Sequence, residues 1–191
     1  MNILVVAPME QEQKNFKRAL ESRECKHRYK TICSGIGKAN AASSIALEVF
    51  NGNYDLVAII GYAASSKLFE RGDVVIPSYA KYHDVDIPAG LVDELTKTYY
   101  LDGSDDVTIL TGDSFITKEK AIELQQTHGV KVIFDMEATA VAQVCEEANL
   151  DLIVLKMISD IPEEDGYESF TEFVEKHNDF ACFLSYLELL D

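Results

Sequence analysis

The chain is short of positive charge. Its 191 residues carry 17 Lys and Arg against 33 Asp and Glu, a formal net charge of −16. A field of that sign repels nucleic acid and anionic membrane, and it is unfavourable for concentrating free phosphate. A neutral or cationic small molecule suits it better, and much of the acid is solvated surface that aids solubility. Long apolar runs are missing too. None approaches the roughly 20 residues of a membrane span. The opening Met1-Asn2-Ile3-Leu4-Val5-Val6 has no basic region and no cleavage-like site, so it reads as a first strand in a cytoplasmic protein. The four cysteines, Cys25, Cys33, Cys145 and Cys182, are scattered, with no Cys-x-x-Cys and no Cys/His cluster. A zinc site is not expected, and Cys33 and Cys145 read as buried free thiols in a reducing compartment.

There is no repeat, low-complexity tract or linker, so one domain over residues 1–191 is expected. Strand-like runs fall at Ile3–Ala7, Tyr29–Cys33, Leu56–Ile60, Val74–Ile76, Val107–Thr111, Val130–Phe134 and Leu152–Ile158. Several are apolar at consecutive positions, as strands covered on both faces are. Helical patterns lie between them, at Glu10–Leu20, Ala39–Phe50, Lys118–Gln126 after the N-cap candidate Thr117, Glu137–Ala148, and Ser169–Leu190, the last with a break in its middle. The alternation predicts a three-layer α/β/α fold around a central mixed, twisted sheet. The stretch Ser78–Asp106 is harder to read. Tyr82–Ile87 alternates like an additional strand, Pro88-Ala89-Gly90 breaks it, and Leu91–Thr98 suits a short helix.

In open α/β sheets ligands bind beyond the carboxyl ends of the strands. Glu10 and Glu12, Gly35-Ile36-Gly37-Lys38, Gly61-Tyr62-Ala63-Ala64, Gly112-Asp113-Ser114-Phe115, Asp135-Met136-Glu137 and Ser159-Asp160 each follow such a run. Acids, glycine turns and an aromatic therefore converge on one rim. Singly each has a plain explanation. An acid at a helix start is commonly a cap or a favourable dipole contact, and the glycine pair lets a strand turn into a helix. The pair is not the dinucleotide fingerprint, whose third glycine position is Asn40 here. His83-Asp84 has the look of a metal-ligand pair but lacks companions, and reads as a structural, hydrogen-bonded histidine. Glu163-Glu164-Asp165 reads as a solvated loop that could cover the site.

Ala7-Pro8-Met9-Glu10-Gln11-Glu12, Ser34-Gly35-Ile36-Gly37-Lys38-Ala39-Asn40-Ala41-Ala42, Gly72-Asp73-Val74-Val75, Tyr82-His83-Asp84-Val85-Asp86, Thr111-Gly112-Asp113-Ser114-Phe115-Ile116, Asp135-Met136-Glu137-Ala138-Thr139-Ala140 and Ile158-Ser159-Asp160 occur in that order. Together they resemble the 5′-methylthioadenosine/S-adenosylhomocysteine nucleosidases of the purine nucleoside phosphorylase superfamily, over nearly the whole chain. The resemblance implies a homodimeric hydrolase that cuts the N-glycosidic bond of an adenine nucleoside, in nucleoside catabolism and methionine salvage, without metal or organic cofactor. It implies that Asp160 protonates N7 of the leaving adenine, that Glu12 activates water, and that Glu137 holds the ribose hydroxyls and favours the cationic sugar. It also implies substrate-binding places for Met136 against the sugar, Phe115 stacked on the purine, Ile116 at the adenine edge and Ser159 beside Asp160. Ile36, Tyr62, Ala63, Asp135, Lys156 and Phe170 fall at the remaining pocket positions.

The chain departs from that pattern in places. Tyr62 and Ala64 stand where the family has Ser and Gly, which reshapes the pocket near the attacked carbon. Lys156 stands for an Arg, which keeps the charge without the bidentate fork. After Asp86 the chain is shorter than in relatives, whose aromatics there reach a partner's pocket and cover the 5′ substituent. Three readings stand side by side: a nucleosidase for methylthioadenosine, adenosylhomocysteine or another adenine nucleoside such as aminodeoxyfutalosine; a phosphate-dependent phosphorylase, using donors of the Gly35–Gly37 turn and Arg71; and a nucleoside-binding homologue without catalysis. Retention of Glu12 favours an enzyme, and its charge opposes bound phosphate.

Overall fold

A computed structural model of the chain describes all residues except 66–67, 89–90, 163–165 and 177–179. The first strand, β1 (Asn2–Ala7), is apolar at every buried position and lies parallel between β2 (Arg28–Cys33) and β3 (Leu56–Ser65). Between these strands run α1 (Glu10–Glu21) and α2 (Lys38–Val49). Next come β4 (Val74–Val75), β5 (Pro77–Tyr82), the single turn α3 (Asp93–Thr96), β6 (Tyr99–Tyr100) and β7 (Asp105–Thr111). Then follow α4 (Lys118–His128), β8 (Val132–Asp135), α5 (Ala138–Glu147) and β9 (Asp151–Asp160), and finally α6 (Gly166–Lys176) and α7 (Phe180–Leu190). One mixed sheet takes the order β2-β1-β3-β8-β7-β5-β6, with β9 joining β3 and β4 off that path.

Strand alternation divides the core between two faces. Leu4, Val6, Val57 and Ile59 pack under α2 and α5, with Ala41, Ile45, Val141 and Cys145. Ile3, Val5, Ala58 and Ile60 pack on the other face against Phe16 and Ala19 of α1 and Phe183, Tyr186 and Leu187 of α7. Leu110, Val132 and Phe134 meet Ala121 and Leu124 of α4. The α/β/α layering expected from the strand–helix alternation is present. Among the described residues no helix is long and apolar enough to cross a membrane.

Several local expectations change. The strand predicted to end at Ile60 continues to Ser65, so Gly61-Tyr62-Ala63-Ala64 is strand rather than a turn. It can continue because β9 runs parallel beside it from Leu56↔Asp151 to Ala63↔Ile158, while β8 pairs antiparallel with its last residues, Ala64↔Phe134 and Ser65↔Ile133. The alternating Tyr82–Ile87 run is not a strand. The strand there is Pro77–Tyr82, paired with β7 up to Tyr82↔Thr111. Beyond it Asp84 leaves the sheet line because Lys38 Nζ binds its carboxylate at 2.6 and 2.7 Å. The helix expected over Leu91–Thr98 is only Asp93–Thr96. The Ser169–Leu190 pattern resolves into α6 and α7. Cys145 is buried as expected, whereas Cys33 is exposed, since β2 is an edge strand with one side uncovered. Ala89 and Gly90, part of the expected break, and the acidic run at 163–165 lie outside the described residues.

Candidate active site

An open cleft lies at the carboxyl ends of β1, β3, β8 and β9. Glu12, Glu137 and Asp160, remote in sequence, all line it. So do Ile36, Tyr62, Ala63, Phe115, Ile116, Asp135, Met136, Ser159 and Phe170. Lys156, expected among the pocket residues, is not in the lining. It is fully buried beneath it, because it sits on β9 directly opposite Gly61 and its Nζ is drawn to Asp135 Oδ2 at 3.1 Å. Pro8, Met9, Ala64, Ser114 and Phe134 also line the cleft without having been singled out as site residues. Ala64, Ser114 and Phe134 each adjoin a residue that was, and Pro8 and Met9 belong to the Ala7–Glu12 motif, so membership of the motifs was the available signal.

Glu12 comes from the first turn of α1. Its Oε2 accepts a hydrogen bond from the Met9 amide at 2.7 Å, so it caps its own helix while facing the cleft. The plain explanation and the functional one hold together for this residue. Burial pushes its pKa up to about 8, against the opposing pull of Lys156 and the Met9 amide. Glu137 immediately precedes α5, and its Oε1 accepts from the Gly37 amide at 2.9 Å. Gly37 has φ +96°, a conformation that favours glycine, and this brings its amide to the carboxylate. Burial raises the Glu137 pKa, Lys156 opposes the rise and Asp135 adds to it.

Asp160 ends β9. Between Ala63↔Ile158 and Ala64↔Asp160 the register slips by one residue, leaving Ser159 as the extra residue of a bulge. Ser159 Oγ donates to Asp160 Oδ1 at 2.7 Å and lies 3.4 Å from the Ala63 carbonyl. Burial raises the Asp160 pKa to about 6, with the Ser159 bond and the Arg71 charge pulling it down. A carboxyl that keeps its proton near neutrality can serve as an acid, and one poised near neutrality can serve as a base.

The rim is aromatic. Phe115 is 46% exposed and meets Tyr167 and Phe170 edge to face, at centroid distances of 5.5 and 5.8 Å. Phe170 meets Tyr62 at 5.9 Å, and Tyr62 is braced by Phe173 and Phe183. The Tyr62 ring is thus packed among three phenylalanines at the wall of the cleft, and its backbone bonds Glu12.

The Gly35–Gly37 turn is already occupied by acids. The Gly37 amide serves Glu137, the Lys38 amide donates to Asp113 Oδ1 at 2.8 Å, and Lys38 Nζ pairs with Asp84 and Asp113. His83 also differs from expectation. Neither ring nitrogen has a hydrogen-bond partner on another residue described, because the ring is packed against the bare Gly112 backbone. Burial lowers its pKa, which favours the neutral ring. Among the described residues no group of three or more His, Cys, Asp or Glu is placed to hold a metal.

A mixed sheet with helices on both faces and acids at its strand ends defines a broad class, and residues 103–187 match the family model of the phosphorylase superfamily. The 5′-methylthioadenosine/S-adenosylhomocysteine nucleosidase of Bacillus subtilis is 34% identical over 167 residues, which cover 75% of this chain and 72% of the relative. That of Staphylococcus saprophyticus is 31% identical over 166 residues, 75% of this chain and 73% of the relative. The crystal structure of the Neisseria meningitidis nucleosidase in complex with methylthio-immucillin-A superposes with a TM-score of 0.85 at 25% identity, covering 98% of each chain. This chain belongs to the 5′-methylthioadenosine/S-adenosylhomocysteine nucleosidase family.

Proposed function

We propose that the chain is a single-domain N-ribosyl hydrolase that splits a 5′-modified adenine nucleoside into adenine and the free sugar. The observation that carries this is the gathering of Glu12, Glu137 and Asp160 around one cleft whose rim is the exposed ring of Phe115. The purine stacks on Phe115, with its edge read at Ile116. Asp160, oriented by Ser159, gives its proton to N7 as the bond from C1′ to N9 breaks. Glu137 holds the ribose hydroxyls over Met136, and its charge favours the cationic sugar. Glu12 takes a proton from the water whose oxygen bonds to C1′. The bond electrons leave with adenine, which departs neutral because Asp160 has protonated it.

Hydrolysis is favoured over phosphorolysis by the occupied turn. A phosphate would need the Gly37 and Lys38 amides and the Lys38 ammonium, and carboxylates already hold all three. We further infer a cytoplasmic homodimer acting in methionine salvage. The exposed Ile36 and the exposed Leu47 and Phe50 of α2 offer an apolar surface for the second copy, and the four cysteines are free thiols.

The test is a product assay on methylthioadenosine, adenosylhomocysteine and other 5′-modified adenosines, with and without phosphate. Adenine and a free sugar should form at a rate indifferent to phosphate. Ribose 1-phosphate that rises with phosphate would move the chain to the phosphorylases, and tight nucleoside binding without adenine release would end the enzyme reading.

A further inference from the structure

Lys156 is one of the largest fully buried side chains of the protein. A lone ammonium taken out of water costs several kcal/mol, so it persists only where opposite charge surrounds it. Carboxyl groups face it from three elements: Asp135 at the end of β8, Glu137 just before α5, and Glu12 from α1. Only Asp135 is in direct contact, at 3.1 Å, and the ammonium has no hydrogen bond of good geometry. Its remaining charge is therefore unspent on neutral partners and acts on the two cleft glutamates.

Asp135 in turn is the knot of a buried polar chain. Its Oδ1 accepts from Thr111 Oγ1 at 2.6 Å, and its Oδ2 accepts from the Ala138 amide at 2.9 Å, at the first turn of α5. Thr139 closes the chain, giving its amide and its hydroxyl to Thr111 Oγ1 at 3.0 and 2.8 Å. Glu137 lies between the anchored Asp135 and the anchored Ala138. Its place over the cleft follows from theirs. The room for Lys156 has a local cause as well. Its opposite number on β3 is Gly61, which has no side chain, and the space that one would fill is taken by the Glu12 carboxyl.

We propose that Lys156 is a positioning residue, which acts through Asp135 to seat Glu137 and supplies the buried cation that lets Glu137 and Glu12 carry charge, without itself touching substrate. This rests on the hydrolase reading above for its consequence in catalysis, though not for its electrostatics. Three carboxyl groups and one ammonium share a low-dielectric layer. Remove the ammonium and Glu12 and Glu137 keep their protons to higher pH, since the amides of Met9 and Gly37 are then left to oppose burial without a cation.

The test compares Lys156→Met, of similar length and no charge, with Lys156→Arg. Adenine affinity checks that the cleft is intact, because the Phe115 and Asp160 end of it does not contact Lys156. In Lys156→Met adenine should still bind. The alkaline fall of kcat/KM should move upward by about one pH unit or more, and the rate below it should drop about tenfold for each unit. Lys156→Arg, which keeps the cation, should hold the fall near its wild-type position. Carbon-13 NMR of carboxyl-labelled glutamate reads the same shift in Glu12 and Glu137 without turnover. A chain that releases no adenine would thus sink the hydrolase reading and leave this one measurable. Should Lys156→Met fail to bind adenine, Asp135→Asn replaces it. That change frees the ammonium, and the Glu12 titration, to which Asp135 does not contribute, should then move down; a fall in Glu137 alone reflects only the lost Asp135 charge and would overturn the proposal. Glutamate titrations that stay in place in a variant that still binds adenine would overturn the proposal.

Discussion

The carboxyl group of Glu12 occupies the space where a side chain at residue 61 would stand. A Cβ on Gly61 would overlap Oε1 of Glu12 and lie 3.0 Å from its carboxyl carbon, and Gly61 has φ +142°, which side chains rarely adopt. The glycine is required twice, by its backbone angle and by its neighbour. Tyr186 secures the same residue, donating its hydroxyl to the Gly61 carbonyl at 3.1 Å. Gly61→Ala should therefore push Glu12 aside, and kcat should fall by about a hundredfold, as for loss of an acid–base group. Adenine affinity, set at the other end of the cleft, should hold. Normal turnover in Gly61→Ala would show that Glu12 need not lie where it does.

Asp160→Asn keeps the shape of the residue and the hydroxyl of Ser159 beside it, but an amide cannot give N7 a proton. Turnover should fall about 10²–10⁴-fold with melting behaviour preserved. Steady-state assays beside a thermal melt measure both. Retained turnover would remove Asp160 from its assigned role.

The pH dependence follows from the way burial raises the pKa values of the cleft acids. In the proposed mechanism the free enzyme works with Glu12 ionised, with a pKa of about 8, and Asp160 protonated, with a pKa of about 6. The working form thus carries its proton on the stronger acid and is a minority species. Glu137, raised to about 7, must be ionised as well, so this population is level between about pH 7 and pH 8 and falls on either side, and kcat/KM should do the same. A narrow optimum outside that window would contradict the assignment.

Stability has its own sign. The folded pKa of Glu12 lies above its ordinary 4.5, so folding favours the protonated form. That contribution is complete below about pH 4.5 and is lost as pH rises through about 8. Glu12→Gln removes the ionisation. The variant should match the wild type near pH 4 and melt higher at pH 9, by about 3 °C for each 1 kcal/mol recovered. An equal gap at both pH values would show that burial does not control this group.

Tyr62 should govern which 5′ substituents enter. It lines the cleft with its ring held by Phe170, Phe173 and Phe183. Tyr62→Ala should widen the cleft and raise kcat/KM for bulky 5′ groups relative to small ones, at a stability cost of about 3–5 kcal/mol. Competing adenosylhomocysteine against methylthioadenosine measures the ratio. An unchanged ratio would place the tyrosine outside the specificity machinery.

Much of the layer plan was legible in sequence because buried strands and amphipathic helices differ in period. The apolar run of β1 and the Ala138, Val141, Ala142 and Cys145 stripe of α5 are local signals. The course of the chain past Tyr82 was not, because alternation of acidic and apolar residues has the strand period whether or not a sheet lies beside it. There the Lys38 ammonium, distant in sequence, draws Asp84 out of line. Cys33 misled in the same way. A strand-like run ends at it, but only sheet order shows that β2 is an edge.

By itself the sequence determined the α/β alternation, the kinship of the chain, and which carboxylates were candidates, since each of these is a property of residue order. Only the folded structure decided that Lys156 lies under the cleft rather than in it, that Ser159 is the extra residue of a bulge, and that the Gly35–Gly37 turn serves carboxylates instead of phosphate. Those outcomes depend on which strands become neighbours and how far burial strips water from a charge. Neither is a local property of the chain.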